Sequence, residues 1–263
     1  MISAKVRCLG IMVIYDPLRA GLAVERFKRL ISNSFECHSI KVVTNNPEIN
    51  GDIVGSNICG EFSGWAEAIS QQDYDDFDVI ICANDTFSVR RAFGDKEEKK
   101  FIEKFVAARV AGKPYLIGEV CWHINYHLMK KRRKFLIKWV RTSVFAISTE
   151  AARRIGGVSL SETEMTSMVK TDQDGNFMLS HDIPEVNRRR VEDWLNPMLP
   201  ALGWYGSQIA TKSTKRLKAM CVLQELDLTK RCIEAGISVY SSASVRKRDY
   251  LLTLLYNLQN RFL

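Results

Sequence analysis

Two polar residues, Asn84 and Asp85, directly follow an apolar run at residues 79–83. A continuous run of this kind predicts a strand that is buried on both faces of a parallel sheet, so the polar pair would lie at its carboxyl end. Ligands of open α/β sheets bind at that end of the strands. The Asp85 carboxylate would then be placed to hold a divalent ion against phosphate groups. The same pair of residue types is also typical of a turn or a helix cap.

A second group of charged residues lies in the predicted helix at residues 217–235. A carboxylate such as that of Glu225 can act as a general base if a hydroxyl group comes within hydrogen-bond reach. Arg231 lies one helical turn after Asp227, so it would either face a phosphate or pair with Asp227. The plain alternative is that these side chains are solvated charges on a helix.

The elements that position these residues alternate between strands and helices in the first half of the chain. Apolar runs predict strands at residues 6–15, 39–44, 78–83 and 114–120, and helical spacing predicts helices at residues 21–35, 62–70 and 96–111. This alternation indicates βαβ units and an α/β, Rossmann-like fold with a mostly parallel sheet flanked by helices. We expect a single domain over residues 1–263, with a less regular half at residues 121–245 and an amphipathic helix at residues 246–263.

Four landmarks along the chain resemble those of one enzyme family. They are the strand ends at residues 11–16 and 40–46, the small-residue loop at residues 57–65, the triplet Ala83-Asn84-Asp85, and residues 224–231 with Gly236-Ile237. In this order they resemble glycosyltransferases of the GT-A fold, and they are similar to the family 2 enzymes that build bacterial surface polysaccharides such as lipopolysaccharide or capsule. The resemblance spans roughly residues 6–245.

The resemblance implies an inverting, metal-dependent transfer of a sugar from a nucleotide-sugar donor to a glycan or lipid-linked acceptor. Asp85 stands in the metal motif and implies Mn²⁺ or Mg²⁺, although Ala83 and Asn84 depart from the usual DxD pattern. Glu225 stands where the family usually has an Asp as the catalytic base. The implied donor-binding residues are Tyr15, Asp16, Asn45, Asn46, Asn57, Asn84 and Arg231, all within residues 1–120 except the last.

Aromatic and basic segments suggest where an acceptor would bind. Trp204-Tyr205-Gly206 would stack on a sugar ring or pack in the core. The basic segments at residues 130–141 and 246–263 carry Trp, Phe, Tyr or Leu and would lie on an anionic membrane surface. Alternatively, the first segment is a helix whose charged face is solvated and whose apolar residues pack on the core. The second segment would then form a homodimer contact.

Composition sets the remaining expectations. The 263 residues are 46% hydrophobic and include seven cysteines without a CxxC pair, which is typical of a globular protein in a reducing compartment. The charged start predicts no signal peptide. We therefore expect a cytoplasmic protein, at the inner face of the membrane if the basic segments bind lipid.

The net charge of +8 is also compatible with an alternative function, that of a non-enzymatic basic α/β module that binds nucleic acid, but no nucleic-acid motif appears. A degenerate relative that binds a nucleotide sugar without turnover is a further alternative.

Overall fold

The computed structural model describes residues 6–88, 93–124, 136–197, 203–204 and 206–243. Its helices are α1 (Pro17–Ser34), α2 (Glu61–Ser70), α3 (Asp95–Val110), α4 (Thr149–Arg154), α5 (Glu162–Met168), α6 (Glu185–Leu195) and α7 (Lys212–Glu234). Its strands are β1 (Arg7–Ile14), β2 (Cys37–Thr44), β3 (Ile53–Val54), β4 (Val79–Asn84), β5 (Tyr115–Ile124), β6 (Leu136–Ser148), β7 (Val169–Thr171), β8 (Phe177–Leu179) and β9 (Ser238–Ser241). No helix among these residues is long and apolar enough to cross a membrane.

The chain divides into two compact units. The first comprises Met1–Val120, Val140–Ser159 and Glu225–Ala243, and the second comprises Cys121–Trp139, Leu160–Gln224 and Ser244–Leu263. Helix α7 begins in the second unit and enters the first at Glu225. Every residue of the candidate site described below belongs to the first unit.

A seven-stranded sheet with the order β3-β2-β1-β4-β6-β5-β9 organises the first unit. Strand β1 pairs in parallel with β2 and with β4, and β2 pairs in parallel with β3. Strand β6 runs antiparallel to β4, with Val144 opposite Ala83 and Ser148 opposite Val79. Strand β5 pairs in parallel with β9. The predicted α/β class with a mostly parallel sheet flanked by helices is therefore confirmed at this coarse level.

Both faces of the sheet are covered, which explains the continuous apolar runs of its central strands. Seven of the eight residues of β1 are buried, and so are the first five residues of β4. One face packs on Phe62 and Trp65 of α2 and on Leu228 of α7. The other face packs on α1 and α3, for example through Phe27 and Phe105. Strands buried on both sides have no polar face, so their sequences show no alternation.

The predicted elements of the first half agree with the structure to within two residues, except that α1 begins four residues earlier and β5 ends four residues later than predicted, and the short strand β3 was not predicted. Pro17 occupies the first turn of α1, and the Asp16 side chain accepts a hydrogen bond from the Leu18 N–H at 3.0 Å. Proline suits the first helical turn and aspartate is a favoured N-cap, so these two residues fix the start of the helix.

Two predictions for the second half need correction or fall outside the described residues. The basic segment at residues 130–141 was expected to be helical, but its residues 136–141 lie in strand β6. Pairs of apolar residues are separated there by single basic residues, and this pattern does not distinguish a strand from a helix. Residues 130–135 and the predicted helix at residues 246–263 lie outside the part of the chain that the structure describes.

The second unit contains a hairpin and a short helix that the sequence did not predict. Strands β7 and β8 pair in antiparallel fashion around a turn in which Gly175 has a φ of 81°. Within that turn the Asp172 carboxylate accepts hydrogen bonds from the backbone and side chain of Asn176 at 2.7 and 3.1 Å. Ser161 and Glu164 form a capping box that begins α5.

Candidate functional site

The candidate site lies where the order of strands along the chain reverses. The chain passes from β1 through α1 to β2 on one side, whereas β4 lies on the other side of β1. Loops that leave neighbouring strands in opposite directions open a crevice between their carboxyl ends, and open α/β sheets bind ligands there. Tyr15 and Asp16 follow β1 at this point, and Asp85 follows β4.

The Asp85 carboxylate holds the loop that follows β1. Its Oδ2 atom accepts hydrogen bonds from the backbone N–H groups of Tyr15 and Asp16, at 2.8 and 2.7 Å. Asp85 is only 6% exposed, and this burial raises the pKa of its carboxyl group, against the lowering effect of the two N–H donors. The side chain is therefore fixed in the crevice by groups some 70 residues earlier in the chain.

Asp16 lies beside Asp85 but has a separate set of partners. Its Oδ1 atom caps α1 at Leu18, and its Oδ2 atom pairs with the Arg19 guanidinium at 3.0 Å. The pKa of Asp85 is raised by the neighbouring Asp16 charge and lowered by Arg19, although both effects are smaller than that of burial. Tyr15 is 59% exposed at the same edge.

Three asparagines at the end of β2 and in the following loop line the adjoining part of the edge. The Asn46 Nδ2 group donates to the Tyr15 carbonyl at 2.9 Å. Asn45 is buried, and its Nδ2 group donates to Asn57 Oδ1 at 3.2 Å and to the Gly60 carbonyl at 3.0 Å. Asn57 has a φ of 55°, a left-handed conformation that asparagine tolerates better than most residues. Asn45 and Asn57 therefore shape the loop, whereas Asn46 supports the Tyr15 backbone directly.

Asn84 holds the turn after β4. Its Oδ1 atom accepts hydrogen bonds from the Thr86 N–H at 3.1 Å and from the Thr86 hydroxyl at 2.6 Å. Its Nδ2 group donates to Glu61 at 3.5 Å. The turn that was considered as the alternative to a metal site is thus present at Asn84, while the Asp85 side chain points to the β1 loop.

Glu225 lies towards the same edge of the sheet. Its Oε2 atom accepts a hydrogen bond from the Thr142 hydroxyl at 3.4 Å. Val144 pairs with Ala83, so Thr142, two residues before Val144, lies beyond Ala83 in the direction of Asp85. Strands β4 and β6 are neighbours, so Thr142, in the middle of β6, and Asp85, just after β4, lie close together.

Arg231 does not join this group. Its Nε atom donates to Asp227 at 2.6 Å, and its Nη1 atom donates to the carbonyls of Ile155 and Gly157 at 2.6 and 2.8 Å. Those carbonyls follow α4, which begins after the far end of β6, where Ser148 pairs with Val79. Of the two roles considered for Arg231, the structure contains the pairing with Asp227.

The described residues fit a divalent ion that arrives with phosphates better than a resident ion. Among them, no group of three His, Cys, Asp or Glu side chains could hold a metal. Asp85 Oδ2 already accepts two hydrogen bonds, and both carboxylate oxygens of Asp16 are engaged. Asp85 Oδ1 is left as a ligand. Mg²⁺ commonly takes one or two carboxylates and completes its shell with water and substrate phosphates.

Sequence reasoning missed several groups at this edge. Glu61 bonds Asn84, and Thr142 bonds Glu225. Arg141 on β6 forms an ion pair with Glu119 on β5 at 3.7 Å. An ion pair between two strands leaves a faint signal in the sequence, because Glu119 and Arg141 are each an ordinary charged residue within a strand.

In the second unit, Trp204 is a core residue. It is buried, and its ring lies 6.3 Å from that of Trp194. The added Cβ of an alanine at position 206 would come within 2.8 Å of the Trp204 ring, so Gly206 is required by close packing. Of the two roles considered for Trp204, the structure favours packing. Tyr205 lies outside the described residues.

Comparisons with known proteins found no relative of this chain. No protein-family model matches the chain. Neither the curated proteins nor the solved structures include a significant match.

Proposed function

We propose that this chain is a GT-A-like glycosyltransferase that moves a sugar from a nucleotide-sugar donor to a glycan or lipid-linked acceptor, as in bacterial surface polysaccharide synthesis. The observation that carries the proposal is the polar edge at the strand-order reversal. Tyr15, Asp16, Asn46 and Asp85 meet there, at the ends of three adjacent parallel strands. Glu225 contacts the next strand of the same sheet.

The proposed donor site uses the exposed edge of this group. A diphosphate would lie against the loop after β1, and the base and ribose would lie against the ends of β1 and β2, where the Tyr15 ring is exposed. A divalent ion held between Asp85 Oδ1 and the phosphates would stabilise the negative charge of the departing nucleoside diphosphate.

Glu225 is the proposed general base. It would take the proton of the acceptor hydroxyl as that oxygen attacks the anomeric carbon of the donor sugar, which inverts the configuration. The Thr142 hydrogen bond to Oε2 would fix the orientation of the carboxylate. Glutamate is one methylene longer than the aspartate usual in the resembled family, and it reaches the edge from a helix that packs through Leu228 and Cys232.

Two parts of the proposal concern residues outside the described ranges. Trp139 and Val140 of the first basic segment are buried in β6, so a membrane contact would use residues 130–135 and 246–263, and a homodimer contact would use residues 246–263. The cytoplasmic location at the inner membrane face belongs to the same proposal, since nucleotide-sugar donors and a lipid-linked acceptor would meet there.

A melting-temperature screen tests the proposal. The protein would be mixed with uridine, guanosine, thymidine and cytidine sugar nucleotides, each with Mn²⁺ and with EDTA. A donor present at one hundred times its dissociation constant stabilises the folded state by about 2.7 kcal/mol. For a chain of this size that corresponds to a rise in Tm of roughly 5–10 °C.

Two variants then separate binding from catalysis. Glu225→Gln should keep the rise in Tm and lose sugar transfer. Glu234→Gln is the matched control, because Glu234 lies on the exposed end of α7 and pairs with Lys230 at 3.9 Å. A rise in Tm without any transfer by the unaltered protein would favour the degenerate binder. A salt-sensitive complex with an oligonucleotide, and no response to any sugar nucleotide, would favour the nucleic-acid module.

A further inference from the structure

The peptide group between Tyr15 and Asp16 is held from two neighbouring strands. Asp85, after β4, accepts hydrogen bonds from the N–H groups of both residues. Asn46, after β2, donates to the carbonyl of Tyr15. Because β2 and β4 flank β1 on its two sides, the loop that leaves β1 is fastened on both sides.

The two hydrogen bonds to Asp85 hold the loop more strongly than the hydrogen bond from Asn46. Hydrogen bonds from N–H groups to a carboxylate are about twice as strong as those between neutral groups, and the two distances of 2.8 and 2.7 Å are short. Asp85 is also largely removed from water, so competing solvation of its Oδ2 atom is weak.

The held loop carries groups that point in different directions. Asp16 is turned back to cap α1 and to pair with Arg19. The ring of Tyr15 remains exposed although both the N–H and the C=O of its backbone are bonded. The backbone that carries the exposed Tyr15 side chain is therefore held in place before any ligand binds.

We propose that Asp85 is a positioning residue, whose Oδ2 atom fixes the loop after β1, and that any metal contact is a secondary task left to Oδ1. One consequence rests on the proposed function: when the loop after β1 is released, a nucleotide should bind weakly even in the absence of metal. The position of Asp85 in the metal motif implies instead that metal binding is its main role.

Two substitutions distinguish the roles. Asp85→Asn keeps an oxygen that can accept from both N–H groups but removes the charge that a divalent ion needs. Asp85→Ala removes the acceptor altogether. Asn46→Ala releases the other side of the loop and is a variant of a half-buried residue that should fold if Asp85→Ala does not. Asp76→Ala is the matched control, since Asp76 is exposed before the opposite end of β4.

The first measurement is hydrogen exchange of the Tyr15 and Asp16 amides in the ligand-free protein. Loss of a charge-assisted bond should accelerate their exchange by about ten- to a hundredfold in Asp85→Ala. Asp85→Asn should change it by less than about fivefold, and Asp76→Ala should leave it unaltered. No acceleration in Asp85→Ala, or the same acceleration in Asp76→Ala, would overturn the positioning role.

The second measurement is the affinity for the nucleoside diphosphate of whichever donor raises the Tm, in EDTA and in Mn²⁺. We expect Asp85→Ala and Asn46→Ala to weaken binding in EDTA by about tenfold or more, and Asp85→Asn to retain it while losing the gain from Mn²⁺. Equal affinity of all variants in EDTA would contradict the proposal. If no nucleotide binds any form, the proposed function fails, and the exchange rates still decide whether Asp85 holds the loop.

Discussion

The indole of Trp65 ties helix α2 to the end of β4, and replacing it should weaken the fold in a way that can be calculated. Trp65 is fully buried, and its Nε1 group donates to the Ala83 carbonyl at 3.1 Å. Its ring packs edge-on against Phe62 and Phe145, with centroid distances of 4.9 and 5.3 Å. Ala83 lies two residues before Asp85, so this bond also supports the strand end that carries the site.

Trp65→Phe removes the hydrogen bond and part of the ring. The lost hydrogen bond costs about 1 kcal/mol, and the space left by the smaller ring costs about 1 kcal/mol more. Weakening two edge-on aromatic contacts adds about 1 kcal/mol in total. We therefore expect a loss of roughly 3 kcal/mol in the free energy of unfolding. With a urea dependence of about 3 kcal/mol per molar, the unfolding midpoint should fall by about 1 M.

Urea unfolding followed by far-ultraviolet circular dichroism measures this loss. Phe62→Leu is the control, because it trims a fully buried ring in the same cluster and breaks no hydrogen bond. It should cost about 1 kcal/mol, clearly less than Trp65→Phe. If Trp65→Phe cost no more than Phe62→Leu, the indole bond to Ala83 would contribute nothing, and the reasoning would be wrong.

Three further predictions concern packing, thiols and pH. Gly118→Ala places a Cβ against Val140 Cγ1, closer than van der Waals contact allows, and should cost about 2 kcal/mol in a urea titration. An unchanged midpoint would refute this close approach. Of the seven cysteines only Cys37 is exposed, and burial raises the pKa of Cys232 to about 12. One thiol should therefore react quickly with an aromatic disulfide at pH 8 and seven after unfolding, and a second fast thiol would contradict the burial. Burial also raises the pKa of Asp85 above its ordinary 3.8, so the folded chain holds that proton more tightly than the unfolded chain. As pH rises from 3.8 to the raised pKa, the free energy of unfolding of the unaltered protein should fall relative to that of Asp85→Asn. A relative increase over the same pH range would contradict the raised pKa.

The strands of the first half could be predicted because strands that are buried on both faces consist of continuous apolar runs. The polar residues at the strand ends followed from those runs, and Asp16, Asn46 and Asp85 do meet at one edge. The direction of β6 could not be predicted in the same way. An apolar run such as residues 144–147 does not show whether the neighbouring strand is parallel or antiparallel, and here β6 is antiparallel to β4.

The partners of the site residues were beyond the reach of sequence patterns for a different reason. The bond from Tyr15 to Asp85 joins residues 70 positions apart, and that from Thr142 to Glu225 joins residues 83 positions apart. Such contacts depend on strand order and on side-chain direction. Arg231 illustrates the limit, since its local partner Asp227 was foreseen but the carbonyls of Ile155 and Gly157 were not.

A crystal structure of the protein with Mn²⁺ and the nucleoside diphosphate of its preferred donor tests the central claim most directly. We expect the diphosphate to lie at the carboxyl ends of β1 and β4, with one phosphate oxygen sharing the ion with Asp85 Oδ1 at roughly 2.0–2.2 Å. Glu225 should face the place of the transferred sugar. A nucleotide bound at the opposite edge, near Arg109 and Lys113, or Asp85 and Glu225 on separate surfaces, would contradict the account.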